Sequence, residues 1–162
     1  MVDKQSDPDM HLPFNGLSDV NEPKIEAGTE YTEDEIDRII ASVKEKQIKL
    51  GECYYQQGLI KELKLKDNEA YAAFKQAVNC HPDNIEFLNA AGLSGTKVGD
   101  YEQAEQFLSQ ALKFSIDRFG KNHPDTATAY NNLASNLDAQ GRLDEAQSFR
   151  QCIPCNAQDN AI

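Results

Sequence analysis

Ala70-Tyr71-Ala72-Ala73-Phe74-Lys75-Gln76-Ala77-Val78-Asn79-Cys80-His81-Pro82-Asp83 is the stretch that decides the fold of this 162-residue chain. Ala70, Phe74 and Ala77 recur at spacings of four and three, the period that places side chains on one face of a helix. His81-Pro82-Asp83 then ends that helix. Proline lacks the N–H a helix interior needs, and its fixed φ suits the opening of the next helix. The same tripeptide returns at His123-Pro124-Asp125, 42 residues on, behind an Ala-containing amphipathic stretch and ahead of an Asn-rich helical one. A fixed period of this length marks a repeat array, in which each unit is a helical hairpin that buries its apolar face against its neighbours. That organisation points to a surface that holds partners.

Working outward, the hairpin rhythm begins near residue 51. Gly58, Gly92 and Ala134 take equivalent places in the first helix of each unit, and Ala70, Ala104 and Ala146 in the second. Small residues there let paired helices approach to backbone contact. Tyr54, Leu88 and Tyr130 pack around them in the first helices, Phe74 and Leu108 in the second, and Ala77 and Ala111 admit the following unit. Upstream, Thr32 and Glu35 form a capping box, and Ile36, Ile39, Ile40 and Val43 follow at helical spacing. This predicts an N-terminal helix over 32–50 that covers the first unit and that no proline separates from the next.

These residues resemble the tetratricopeptide repeat (TPR) family. Tyr54-x3-Gly58, Ala70-x3-Phe74-x2-Ala77-x4-Pro82, then Leu88-x3-Gly92, Gly99, Tyr101, Ala104-x3-Leu108-x2-Ala111, then Tyr130-x2-Leu133-Ala134-x2-Leu137, Gly141 and Ala146 follow its pattern over about 51–153. The middle unit is eight residues longer, through Phe114–Lys121. It looks like the longer repeat of kinesin light chains, and the insertion predicts about two extra turns on its second helix. The resemblance implies an all-α fold: a short right-handed superhelical solenoid of antiparallel helix pairs, with units 51–84, 85–126 and 127–153. Gly95 and Lys61 stand where a large residue is usual, and Arg150 falls at the place of Phe74 and Leu108.

Residues 1–31 hold Pro8, Pro13, Pro23 and many acids without periodicity, an acidic disordered tail. Leu12-Pro13-Phe14, followed by Leu17 and Val20, offers a docking motif for an enzyme that this chain would regulate; a tail with a few incidental apolar residues is the simpler and favoured explanation. Residues 154–162 form a C-terminal tail. The net charge of −11, over half of it from residues 1–50, repels phosphate backbones and anionic bilayers, so neither nucleic acid nor membrane is an expected partner. With no apolar run long enough to span a bilayer and no secretory signal at the start, the chain reads as cytoplasmic, and Cys53, Cys80, Cys152 and Cys155 as free thiols. Cys53 and Cys80 are expected to be buried or half-buried.

Little here suggests catalysis. The two histidines sit one repeat apart at helix junctions, where Pro sets the turn and Asp caps or favours the next helix. Cys152-Ile153-Pro154-Cys155 has redox spacing but falls at a helix C-terminus, the wrong end of the dipole for a stabilised thiolate. No phosphate loop or nucleophile motif occurs, so no enzyme activity, cofactor or metal is expected. The resemblance assigns partner contacts to the concave side. These are Tyr55, Gln56, Leu59 and Glu62 from unit one, Asn89, Leu93 and Lys97 from unit two, and Asn131, Asn132, Ser135 and Asp138 from unit three. The carboxylate clamp of chaperone-binding members is absent, since Tyr55, Leu59, Ala90, Thr128 and Asn132 occupy its places. Glu52, Glu62, Glu86 and Asp138 outnumber Lys97 on that face, which favours a neutral or basic segment of another protein. The implied role is an adaptor or assembly factor; stacking of the weakly capped array ends into a homodimer is the alternative.

Overall fold

The structure, a computed structural model, describes residues 31–153. Within them six helices follow one another with no strand: α1 Glu33–Leu63, α2 Asp67–Cys80, α3 Ile85–Val98, α4 Tyr101–Phe119, α5 Pro124–Ala139 and α6 Leu143–Gln151. Short turns fold α1 onto α2, α3 onto α4 and α5 onto α6, while α2 lies on α3 and α4 on α5. The expected all-α stack of hairpins is present. The N-terminal tail with Leu12-Pro13-Phe14, and residues 154–162 with Cys155, lie outside the described residues.

The small residues are the points of closest approach. A Cβ added at Gly58 would stand 2.4 Å from Phe74 Cε1, and one at Gly92 would stand 2.4 Å from Leu108 Cγ. Ala70, Ala104, Ala134 and Ala146 are wholly buried. The hydrocarbon divides into two clusters. One joins Phe74, Val78, Phe87, Leu88 and Ala91 across units one and two; the other joins Leu108, Leu112, Tyr130, Leu133, Leu137 and Ile153 across units two and three. Gly95 is explained from outside its unit. Tyr71 of α2 fills the space, with ring carbons 3.1 and 3.3 Å from where a Cβ would stand, and its Oη donates to Asp100 Oδ2 at 2.8 Å. In the first hairpin Leu65 takes the left-handed turn position (φ 56°) that Gly99 and Gly141 occupy in the other two.

Several expectations are corrected. The helix at 32–50 is the front half of α1, continuous with the first helix of unit one. Its Thr32–Glu35 capping box forms, but Ile36, Ile40 and Val43 are 44, 45 and 56% exposed and cover nothing described. A lone glycine in a helix costs only about 1 kcal/mol, and Gly51 packs closely, with Cys80 Cβ 3.1 Å from where its own Cβ would be. The helix therefore runs straight past the end of α2.

The insertion lengthens α4 to 19 residues against 14 in α2, about one and a half turns rather than two. The rest of it forms the turn at Gly120–Asn122, so unit three starts at Pro124 rather than 127. Neither His-Pro-Asp aspartate supplies the cap. Asn84 Oδ1 caps α3, accepting from the N–H groups of Glu86 and Phe87 at 2.9 and 3.1 Å. His123 Nδ1 caps α5, accepting from the Asp125 N–H at 3.2 Å, with Pro124 in the first turn. Arg150 is at the surface, paired with Asp138, while Phe149 meets Tyr130, ring centroids 6.4 Å apart. Cys53 is exposed and Cys80 half-buried.

Candidate partner-binding groove

A groove of about 740 Å³ opens along the first helices of the hairpins. The back half of α1 contributes Tyr55, Leu59 and Glu62; α3 contributes Glu86, Asn89, Ala90 and Leu93; the start of α5 contributes Asp125 and Thr128. Phe74 lies at its floor, and the end of the lengthened α4 brings Arg118 and Phe119 to its far wall. Tyr55 is held firmly. Its ring stacks on Phe87 with centroids 5.1 Å apart and tilts against Phe74 at 5.7 Å, while its Oη donates to Glu86 Oε1 at 2.9 Å. Burial, then the bond to Glu86, pushes the Tyr55 phenol up to about 12. At neutral pH it is a fixed neutral donor. Phe119 stacks on His123, centroids 4.9 Å apart, and the Arg118 guanidinium lies 5.5 Å from the Phe119 ring centre.

The lining carries the carboxylates of Glu62, Asp83, Glu86 and Asp125 against one guanidinium, Arg118. A positively charged side chain entering this space meets opposite charge, and a carboxylate meets its like. No set of three or more His, Cys, Asp or Glu side chains is placed to hold a metal ion among the described residues. Nor is any described helix long and apolar enough to cross a membrane.

Of the residues assigned to the concave side, Tyr55, Leu59, Glu62, Asn89 and Leu93 line this groove. The others lie outside it. Lys97 Nζ is 2.6 Å from Asp67 Oδ1, an ion pair between units one and two. Asn132 Nδ2 donates to Asn89 Oδ1 at 3.1 Å, tying α5 to α3. Gln56, Asn131 and Ser135 are exposed, with Ser135 Oγ donating to the Asn131 carbonyl at 2.8 Å. Asp138 is engaged by Arg150, which holds its carboxyl below the ordinary value. The sequence reading missed Phe74, Arg118, Phe119 and Asp125 as groove residues and named Thr128 only as a clamp position. For Arg118 and Phe119 a signal exists: they lie in the inserted stretch, and an extension of the second helix must emerge at the mouth where the next first helix begins.

Stacked antiparallel helix pairs with a groove along their first helices define a helical-hairpin repeat protein. Within that class, residues 83–152 match the tetratricopeptide repeat family. Residues 83–152 are thus tetratricopeptide repeats, and such repeats indicate a protein–protein interaction module. It is similar to Protein KINESIN LIGHT CHAIN-RELATED 2 of Arabidopsis thaliana, 28% identical over 67% of this chain and 18% of that protein. It is also similar to Protein KINESIN LIGHT CHAIN-RELATED 3 of the same plant, 31% identical over 62% of this chain and 16% of that protein. Tetratricopeptide repeat protein 19, mitochondrial, of Homo sapiens is 43% identical over 30% of this chain and 13% of its own length. The chain thus spans less than a fifth of the length of these curated relatives.

Proposed function

We propose that this chain is a non-catalytic adaptor or assembly module that holds an extended, neutral or basic segment of a partner protein in the groove between α1, α3 and α5. The observation that carries this reading is the composition of the groove: aromatic and aliphatic side chains (Tyr55, Leu59, Leu93, Phe119) beside four carboxylates and one guanidinium. An apolar side chain of the partner would lie on the rings while a neighbouring Lys or Arg meets the carboxylates. An acidic segment would be repelled and would strip water from groups left unpaired. Asn89 has its oxygen engaged by Asn132, and its amide N–H groups are available to a partner's backbone carbonyl. The cytoplasm is the setting that suits its acidic balance and the free thiols Cys53, Cys80 and Cys152.

Peptide-display selection on the full chain tests this reading. Enriched peptides should carry Lys or Arg next to an apolar residue. Glu62→Lys combined with Asp125→Lys should weaken their binding about tenfold or more, a change of about 1.4 kcal/mol, with the fold unchanged. Enrichment of acidic peptides, or binding indifferent to the double reversal, overturns it.

A further inference from the structure

The front half of α1 has an interface written along it, separate from the groove and independent of it. Residues 33–50 extend about 27 Å at 1.5 Å per residue. Ile36, Ile40, Val43, Gln47 and Leu50 follow at spacings of four, three, four and three, the alternation that brings one seam of a helix against a partner helix. The four apolar members are 44, 45, 56 and 45% exposed. A helix draws most of its stability from packing its apolar stripe, and no described element covers Ile36 to Val43.

Charge says what does. Glu33, Asp34, Glu35 and Asp37 crowd the first part of this segment, whereas Lys44, Lys46 and Lys49 mark its second part. Two copies side by side and parallel would set acid against acid. Antiparallel, they match. We infer that the occupant is the same segment of a second copy of this chain, antiparallel about a twofold axis between Ala41 and Ser42. In that register Ile40 faces Val43 of the second copy and Ile36 faces its Gln47. Asp37, flanking the seam on one side, then lies beside Lys44 of the second copy, and Glu35, flanking it on the other, beside its Lys46, each twice by symmetry.

Two features of the fold suit the arrangement. The hairpin arrays lie toward opposite ends of the paired stretch, each reaching back beside α1 as far as Lys44. A cleft of about 320 Å³ between Lys44, Gln47, Ile48 and the turn Cys80–Asp83 lies beside Gln47, where Ile36 of the second copy arrives.

Sedimentation velocity on the full chain over a wide concentration range should show a reversible dimer that weakens with salt. Ile40→Asp with Val43→Asp should give a monomer of unchanged helicity and melting midpoint. Asp37→Lys should weaken the dimer, and adding Lys44→Asp should restore it. With Cys53, Cys80, Cys152 and Cys155 replaced by serine, a mixture of Asp37→Cys and Lys44→Cys chains should form an intermolecular disulfide, and Gln47→Cys chains alone should not. A monomer at every concentration, or a dimer that survives the Ile40 and Val43 changes, overturns the proposal. So does a cross-link between two Gln47→Cys chains, which meet only in parallel packing. If removing residues 1–30 turns a monomer into a dimer, the chain's own N-terminal segment is the occupant and the proposal fails.

Discussion

The joint between units one and two and the joint between units two and three are built differently. At the first, α2 meets α3 mainly through Phe74, Ala77, Val78, Phe87 and Leu88, with Tyr71 reaching across to Asp100 and the pairs Tyr55–Glu86 and Lys97–Asp67 at the edges. At the second, Leu108, Leu112, Tyr130 and Leu133 are joined by a polar seam. Asn136, wholly buried, donates to Thr96 Oγ1 at 2.7 Å and accepts from Gln140 Nε2 at 2.6 Å. Arg142 Nη1 donates to Glu105 Oε2 at 2.6 Å, and Thr126 Oγ1 donates to the Gly120 carbonyl at 2.8 Å. Hydrocarbon burial is non-directional and scales with area. A buried, satisfied hydrogen-bond seam tolerates one register only, because a slip leaves its groups unpaired. One hairpin repeat can thus be joined by area or by direction.

The largest break falls on the area-built joint. Phe74→Ala removes the ring that Gly58, Tyr55 and Phe87 surround, and should cost about 3–5 kcal/mol in urea unfolding. A loss under about 1 kcal/mol would mean that the joint collapses to refill the space. Next comes the directional joint. Asn136→Leu removes the bonds to Thr96 Oγ1 and the Gln140 amide, which keep the Gly92 carbonyl and Glu105 as partners, and should cost about 1–2 kcal/mol. Adding Thr96→Val should return part of it in a double-mutant cycle. An Asn136→Leu chain as stable as the parent would show that the seam contributes no net stability. The smallest contrast lies in the two caps. Asn84→Ala should lower stability by about 1 kcal/mol, and His123→Ala, losing one bond instead of two, by about half that or less. Thermal melts giving the reverse order would shift weight to the stacking of His123 on Phe119.

Much of this is legible in the chain itself because the steric demand at a helix crossing is local. Gly58, Gly92 and Ala134 must be small wherever the hairpin closes, so the repeat announces itself. The length of α1 is legible only as a missing break signal, and what its front half packs against depends on atoms beyond the hairpin. Arg118 and Phe119 are visible as an insertion; that they reach the groove depends on how α4 meets α5. The asparagines show the limit most clearly. A side-chain amide declares two donors and an acceptor but not their partners. Asn132 and Asn136 use theirs largely to hold α5 against α3, while Asn131 is exposed to solvent.

Gly95 and Tyr71 carry a last consequence. The space above Gly95 is shaped for a ring that only the preceding unit supplies. The units are therefore not interchangeable beads. Moved to the front of the array, or preceded by a hairpin with no tyrosine at that place, unit two would have a hole in its side. The serial order of the repeats is encoded in their shapes, and a shuffled version of this chain would be a different, looser molecule with the same composition.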